Sequence, residues 1–231
     1  SALVPAAMAQ LDEEIQEKVI KGQARLVHWN DIRHSPPPQL KISPVAMVPH
    51  KSRPYRAIVD LSFPVRLPSG TVPSVNSTTV KTAPKGAIDQ IGSALPRIIH
   101  AFAAVEDSDK IFMAKWDIKD GFWRMDCREG EEWNFAYVLP QAEGAQTLLV
   151  VPTSLQMGWV ESPPYFCAAS ETARDIATEY TDMPVGSIPE HKFSKYTANG
   201  ESYSELPAYH DGKPFRTMIE VYVDDFMSLV I

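Results

Sequence analysis

Apolar residues recur at helical spacing near the start of the chain. Leu11, Ile15, Val19 and Ile20 share one face, and Asp12, Glu13, Glu14 and Glu17 load the early turns, so the pattern predicts a helix over Leu11–Leu26. Pro36-Pro37-Pro38 breaks it. The stretch KISPVAMVPHKSRPYRAIVDLS then reads as two short strands around a turn, with Ile58, Val59 and Leu61 strand-like. Pro-, Ser- and Thr-rich sequence from about Pro64 to Pro84 is expected as loop. Ala87–Val105 is helical in character, with interruptions expected near Gly92 and Pro96. IFMAKWDI is apolar and β-capable and predicts a strand. EEWNFAYVLP and QTLLVVPT predict a strand pair turning near Glu143-Gly144. SPPYFCAASETARDIATEY predicts a helix with Ser162 as N-cap and Pro163 as its first residue. Residues 181–216 are polar and aperiodic and are expected as a long loop or insertion. TMIEVYVDDFMSLVI predicts strand, tight turn, strand. Helices and antiparallel strands mix without βαβ alternation, which predicts an α+β fold.

Composition adds bounds. The 231 residues suffice for one large domain or two small ones, and 44% hydrophobic with 22% charged residues is the balance of a globular core. Two cysteines are too few for a disulfide framework and suggest a reducing compartment or simple burial. The net charge of -7 argues against a nucleic-acid partner at the level of the whole chain, although a local basic strip is compatible with it. The first ten residues lack the pattern of a signal peptide, and no apolar run reaches the length of a membrane span. An intracellular location, in cytoplasm or nucleus, is therefore expected, with no membrane partner. The chain opens on Ser and stops directly after an apolar run, so it is expected to be part of a longer protein.

Asp224 and Asp225 raise a chemical question, because they sit inside that apolar run. A tight turn by itself accommodates Asp, which bonds its own backbone there. Asp117 at the end of IFMAKWDI changes the weighing. If the terminal hairpin lies beside that strand, the carboxylates meet at one edge, and convergent carboxylates repel unless a cation holds them. Hard oxygen ligands favour Mg2+ or Mn2+, and two such ions about 4 Å apart suit in-line phosphoryl transfer. Lys51, Arg53 and Arg56 in KSRPYR form a basic cluster that either grips a triphosphate or is a solvated turn. In LQMGWVESPPYF, Gly158 permits close backbone approach, Trp159 supplies a rigid wall and Ser162-Pro163 opens a helix. The same residues also make an ordinary loop-to-helix cap.

Taken in order, these stretches resemble the reverse transcriptases of retroviruses and retrotransposons. SPVAMVPHKSRPYRAIVD is similar to their basic fingers hairpin, and KWDIKDGFW has the strand-ending Asp117 with an aromatic, Phe122, five residues on. Gly158, Trp159, Ser162 and Pro163 match Gly-Trp-x-x-Ser-Pro, and Tyr222, Val223, Asp224 and Asp225 match Tyr-x-Asp-Asp. The likeness covers roughly residues 40–231 and leaves the N-terminal helix outside. It implies a right-hand polymerase fold with fingers and part of a palm, and an antiparallel palm sheet backed by helices; the family's remaining palm segments and thumb would follow Ile231 and are expected to be absent from this chain. It divides the chain into an N-terminal helix and linker (1–38), a fingers-like region (39–106) and a palm-like region (107–231) with an insertion at about 181–216.

The resemblance also implies roles. Asp117 and Asp224 would hold two Mg2+ or Mn2+ ions, with Asp225 assisting and the Ile118 carbonyl as a further ligand. Lys51, Arg53 and Arg56 would contact the triphosphate, and Met157 and Gly158 would lie against the nucleotide. Met157 stands where many retroviral enzymes carry Gln, and it packs without donating a hydrogen bond. Phe122 would sit under the sugar and exclude a 2'-hydroxyl, which sets the chain apart from RNA-dependent RNA polymerases. The implied activity is RNA-directed DNA polymerase, a nucleotidyltransferase. Its partners would be an RNA or DNA template with primer, deoxynucleoside triphosphates, and the thumb and other domains of a longer polyprotein. The alternative is a truncated, non-catalytic remnant acting as a scaffold or interaction module.

Overall fold

The computed structural model describes residues 4–51, 54–103, 105–181, 209–210, 213–214 and 217–230. Arg53 and nearly all of the expected 181–216 insertion lie outside them. In chain order the elements are α1 (Pro5–Ile20), β1 (Ala24–His28), α2 (Trp29–Ile32), β2 (Ile42–Ser43), β3 (Val45–Pro49) and β4 (Tyr55–Val59). Then come β5 (Val65–Leu67), β6 (Gly70–Val72), α3 (Val75–Thr78), α4 (Lys85–Ala103) and β7 (Phe112–Asp117). The last are β8 (Ala136–Leu139), β9 (Leu148–Pro152), α5 (Ser162–Thr181), β10 (Tyr209–His210), β11 (Lys213–Pro214), β12 (Thr217–Tyr222) and β13 (Asp225–Val230). Among the described residues the fold is thus mixed helix and sheet, with five helices and several small sheets. No helix there is long and apolar enough to cross a membrane. The chain forms two compact units, Ser1–Ala83 with Lys119–Phe166, and Pro84–Ile118 with Cys167–Ile231.

In the first unit α1 buries Ala7, Leu11, Ile15 and Lys18, a stripe at helical spacing. The helix starts earlier than expected and ends at Ile20 rather than Leu26, and Ile20 is exposed. Gly22 explains the stop. At φ 70 it turns the chain left-handed, its N–H donates to the Val19 carbonyl and the Gln23 N–H donates to the Lys18 carbonyl. That is a Schellman ending, and the residues after it become β1 instead of helix.

The sheet order is β1-β9-β8-β2, antiparallel except for the short parallel β2–β8 pair. Leu149, Val150 and Val151 of β9 are fully buried, the continuous apolar run of a strand covered on both faces. Leu11, Ile15, Met47, Tyr137, Leu139 and Val150 form the core. The expected basic hairpin is present as β3–β4. The stretch expected as loop at 64–84 holds the β5–β6 hairpin and α3, which Ser74 caps by accepting from the Ser77 N–H. Ser162, expected as an N-cap, instead donates its buried hydroxyl to the Gln156 carbonyl at 2.7 Å.

In the second unit the sheet order is β12-β13-β7, all antiparallel. The long helix α4 packs on β12 and runs unbroken through Gly92 and Pro96, where interruptions were expected. Tertiary ties hold it through the proline. Ala94 and Ile98 are buried, and between them Arg97 donates twice to Glu220 of β12, at 2.7 and 2.6 Å. Glu220 is itself buried and also faces Arg174 of α5 at 3.6 Å. The carboxylate therefore meets two guanidinium groups, which compensates its desolvation.

Candidate active site

The terminal hairpin lies beside β7, as the carboxylate argument required. Asp225 pairs directly with Asp117 across the two strands, and the Ile118 N–H donates to the Asp224 carbonyl at 3.0 Å. Directly opposed residues of an antiparallel pair project from the same face, so Asp117 and Asp225 stand side by side. Asp224 occupies the two-residue turn Val223-Asp224 between Tyr222 and Asp225. Only Val223 of that pair has positive φ, 60°, the sign pattern of a type II′ turn. That position favours glycine, and a β-branched side chain there is strained. The strain is located at the turn that presents Asp224.

Sequence reasoning missed Lys115. It lies two residues before Asp117 on β7, hence on the same face, and its Nζ is 2.9 Å from Asp225 Oδ2. The hydrogen bond and charge of Asp225, with Asp117 and Asp224 adding, hold the Lys115 ammonium above its usual range. Three carboxylates thus act on one cation. The i, i+2 spacing of Lys115 from Asp117 on β7 was the one signal along the chain.

Cys167 was missed too. Fully buried in α5, its thiol is pushed up by burial and then by the charges of Glu171 and Asp224. Among the described residues no three His, Cys, Asp or Glu side chains are gathered tightly enough to hold a metal between them as they stand. The donor types, three carboxylates with the Lys115 ammonium against one of them, are hard oxygens that suit a cation such as Mg2+ or Mn2+.

The nucleotide-binding candidates Lys51, Arg56, Phe122, Met157 and Gly158 belong to the first unit. Lys51 is exposed at the β3–β4 turn, and Arg53 lies outside the described residues. Arg56, half-buried on β4, donates through Nη2 to Met157 Sδ, so two of the candidates meet although 101 residues separate them in sequence. Gly158 has φ 100, and a Cβ there would lie 3.5 Å from the Val59 carbonyl oxygen. Asn76, at the start of α3, fixes this loop. Its Nδ2 donates to the Gly158 carbonyl at 2.9 Å and its Oδ1 accepts from the Val160 N–H at 3.0 Å. Trp159 Nε1 donates to Thr79 Oγ1 at 2.8 Å, and its ring meets Phe135 edge-on and stacks on Tyr165.

Phe122 is half-buried with its ring 5.0 Å from that of Phe166. The turn before it is held by Asp120, which has φ 58 and faces Lys18 Nζ at 2.8 Å. Neither Asn76 nor Lys18 carries a signal in the sequence, since each acts through a contact distant along the chain. No protein-family model matches the chain, and no curated protein matches it.

Proposed function

We propose that the chain carries the fingers and most of the palm of an RNA-directed DNA polymerase, and that Asp117, Asp224 and Asp225 are its catalytic carboxylates. The observation that supports this reading most is the pairing of Asp117 with Asp225 beside a strained turn bearing Asp224. A turn that needed only a solvated Asp-Asp would carry Gly or Asn at its left-handed position, not Val. The reaction is attack of a primer 3'-hydroxyl on the α-phosphate of a deoxynucleotide, with pyrophosphate leaving and the hydroxyl proton passing to solvent.

Asp117 and Asp224 would hold two divalent ions, with Asp225 and the Ile118 carbonyl supporting them. Such ions, when bound, supply charge neutralisation and Lewis acidity. In this reading Lys115 balances the carboxylates before loading and releases Asp225 afterwards. In the same reading Arg56 and Met157, which meet across the fold, would contact the nucleotide, Lys51 and Arg53 would contact its triphosphate, and Gly158 would allow close approach. Phe122 limits the space at the sugar 2' position.

The Lys115–Asp225 ion pair favours a second reading, a non-catalytic scaffold in which the lysine keeps the cation's place permanently. Primer extension on an RNA template with deoxynucleotides and Mg2+ or Mn2+ separates the two, with Asp224→Asn as control. Extension that disappears in the control supports the polymerase. Absence of extension, together with Mn2+ affinity unaltered by Asp224→Asn, rejects it in favour of the scaffold.

A further inference from the structure

We propose that Lys18, on the N-terminal helix, is a positioning residue that fixes the ring of Phe122 and thereby sets sugar selection. The proposal rests on the reading of Phe122 as the sugar contact, but the positioning itself is a matter of local geometry. Lys18 is a buried lysine, 8% exposed, on the helix that the polymerase resemblance leaves out. A buried ammonium without a partner is costly, and the Lys18 ammonium faces the turn that carries Phe122. Its Nζ is 2.8 Å from Asp120 Oδ2 and 5.0 Å from the centre of the Trp123 ring. Lys21 adds a second charge at 3.9 Å from the same oxygen.

Those contacts flank Phe122 on both sides. Asp120 sits at φ 58 and ψ 39, a left-handed conformation that a non-glycine residue keeps only when its surroundings hold it. Trp123 is fixed a second time, its carbonyl accepting from Gln23 Nε2 at 2.8 Å. Gly121 packs so close to Phe166 that an added Cβ would meet Cζ at 2.7 Å, so only glycine lets the turn lie against that ring. Phe122 then rests on Phe166. The turn is therefore clamped from α1 on one side and from α5 on the other. Without Lys18, Asp120 loses its nearest partner and relaxes toward ordinary dihedrals, which rotates the residue two places on.

Two readouts test this. The first is the ratio of kcat/KM for a deoxynucleotide over its ribonucleotide, in wild type, Lys18→Met and Asp120→Asn. A misplaced ring lowers the ratio by roughly ten- to hundredfold. A merely structural loss of folded protein lowers both rates alike and leaves the ratio unmoved, which would overturn the proposal. The second readout needs no activity. With para-fluorophenylalanine at position 122, fluorine NMR of the folded chain should show a shifted or split line in Lys18→Met. Asp120→Asn should give a similar change, and the double variant little more, since the two residues act as one unit. An unchanged line in both single variants overturns the positioning. A line that moves in a chain that extends no primer leaves the clamp standing and removes the polymerase reading alone.

Discussion

Substituting Gly121 by Ala adds one carbon to the turn that carries Phe122. The added Cβ would lie 2.7 Å from Phe166 Cζ and 3.0 Å from Cε2. Ordinary van der Waals contact begins near 3.4 Å, so the ring would have to retreat by roughly 0.7 Å or the turn by as much. The ring has little room to do so. Phe166 is 4% exposed, and a close-packed interior does not absorb shifts of that size without strain. Gly121 has no positive φ, so Ala suffers no backbone strain there, and the clash is offset only by the small gain from a stiffer unfolded chain. Overpacking of this kind costs about 1–3 kcal/mol. Urea unfolding followed by tryptophan fluorescence measures it, as a lower midpoint at unchanged slope. Phe166→Leu removes the ring edge, so adding it to Gly121→Ala should recover part of the loss even though it is destabilising in the wild-type background. Gly121→Ala with an unaltered midpoint, or a double variant showing only the sum of two losses, refutes the argument.

Val223 holds a left-handed dihedral that Asn tolerates better, so Val223→Asn should stabilise the second unit by about 1 kcal/mol, read from the unfolding midpoint. Arg97→Met leaves buried Glu220 with only the more distant Arg174. It should cost about 2–3 kcal/mol, less than a fully buried pair because Arg97 is partly exposed, and Glu220→Met in the same chain should restore part of it. Burial pushes the Asp120 carboxyl up, but the Lys18 hydrogen bond and the charges of Lys18, Lys21 and Lys119 outweigh it and leave it below the usual range. A depressed carboxylate contributes stability that is fully present above its unfolded value, about 3.9, and is lost as pH falls through the folded one. Lys18→Met should therefore flatten the acid limb of the stability curve, and an identical limb in both proteins would contradict the assignment.

Much of the local structure was legible from spacing alone. The β3–β4 hairpin, the strand ending at Asp117, the β8–β9 pair, helix α5 and the terminal hairpin were all expected from apolar, β-capable runs or a capped helical stretch bounded by turn residues, which are local properties of the chain. One error has a local cause and one a tertiary cause. The helix over-run to Leu26 missed a Schellman glycine, and the interruption expected in α4 gave Pro96 its intrinsic weight without the Arg97–Glu220 tie that offsets it.

The sequence by itself placed Asp117, Asp224 and Asp225 at the ends of strands, because a strand end and a tight turn are local properties. It could not place them together, since the β7–β13 register joins residues more than a hundred positions apart and is decided by sheet pairing. The same limit hid Lys115 from Asp225, Asn76 from Gly158, Arg56 from Met157 and Lys18 from Asp120. Each is a polar or soft contact made across the fold, and only the tertiary structure brings such partners to within bonding distance, because no period along the chain encodes them.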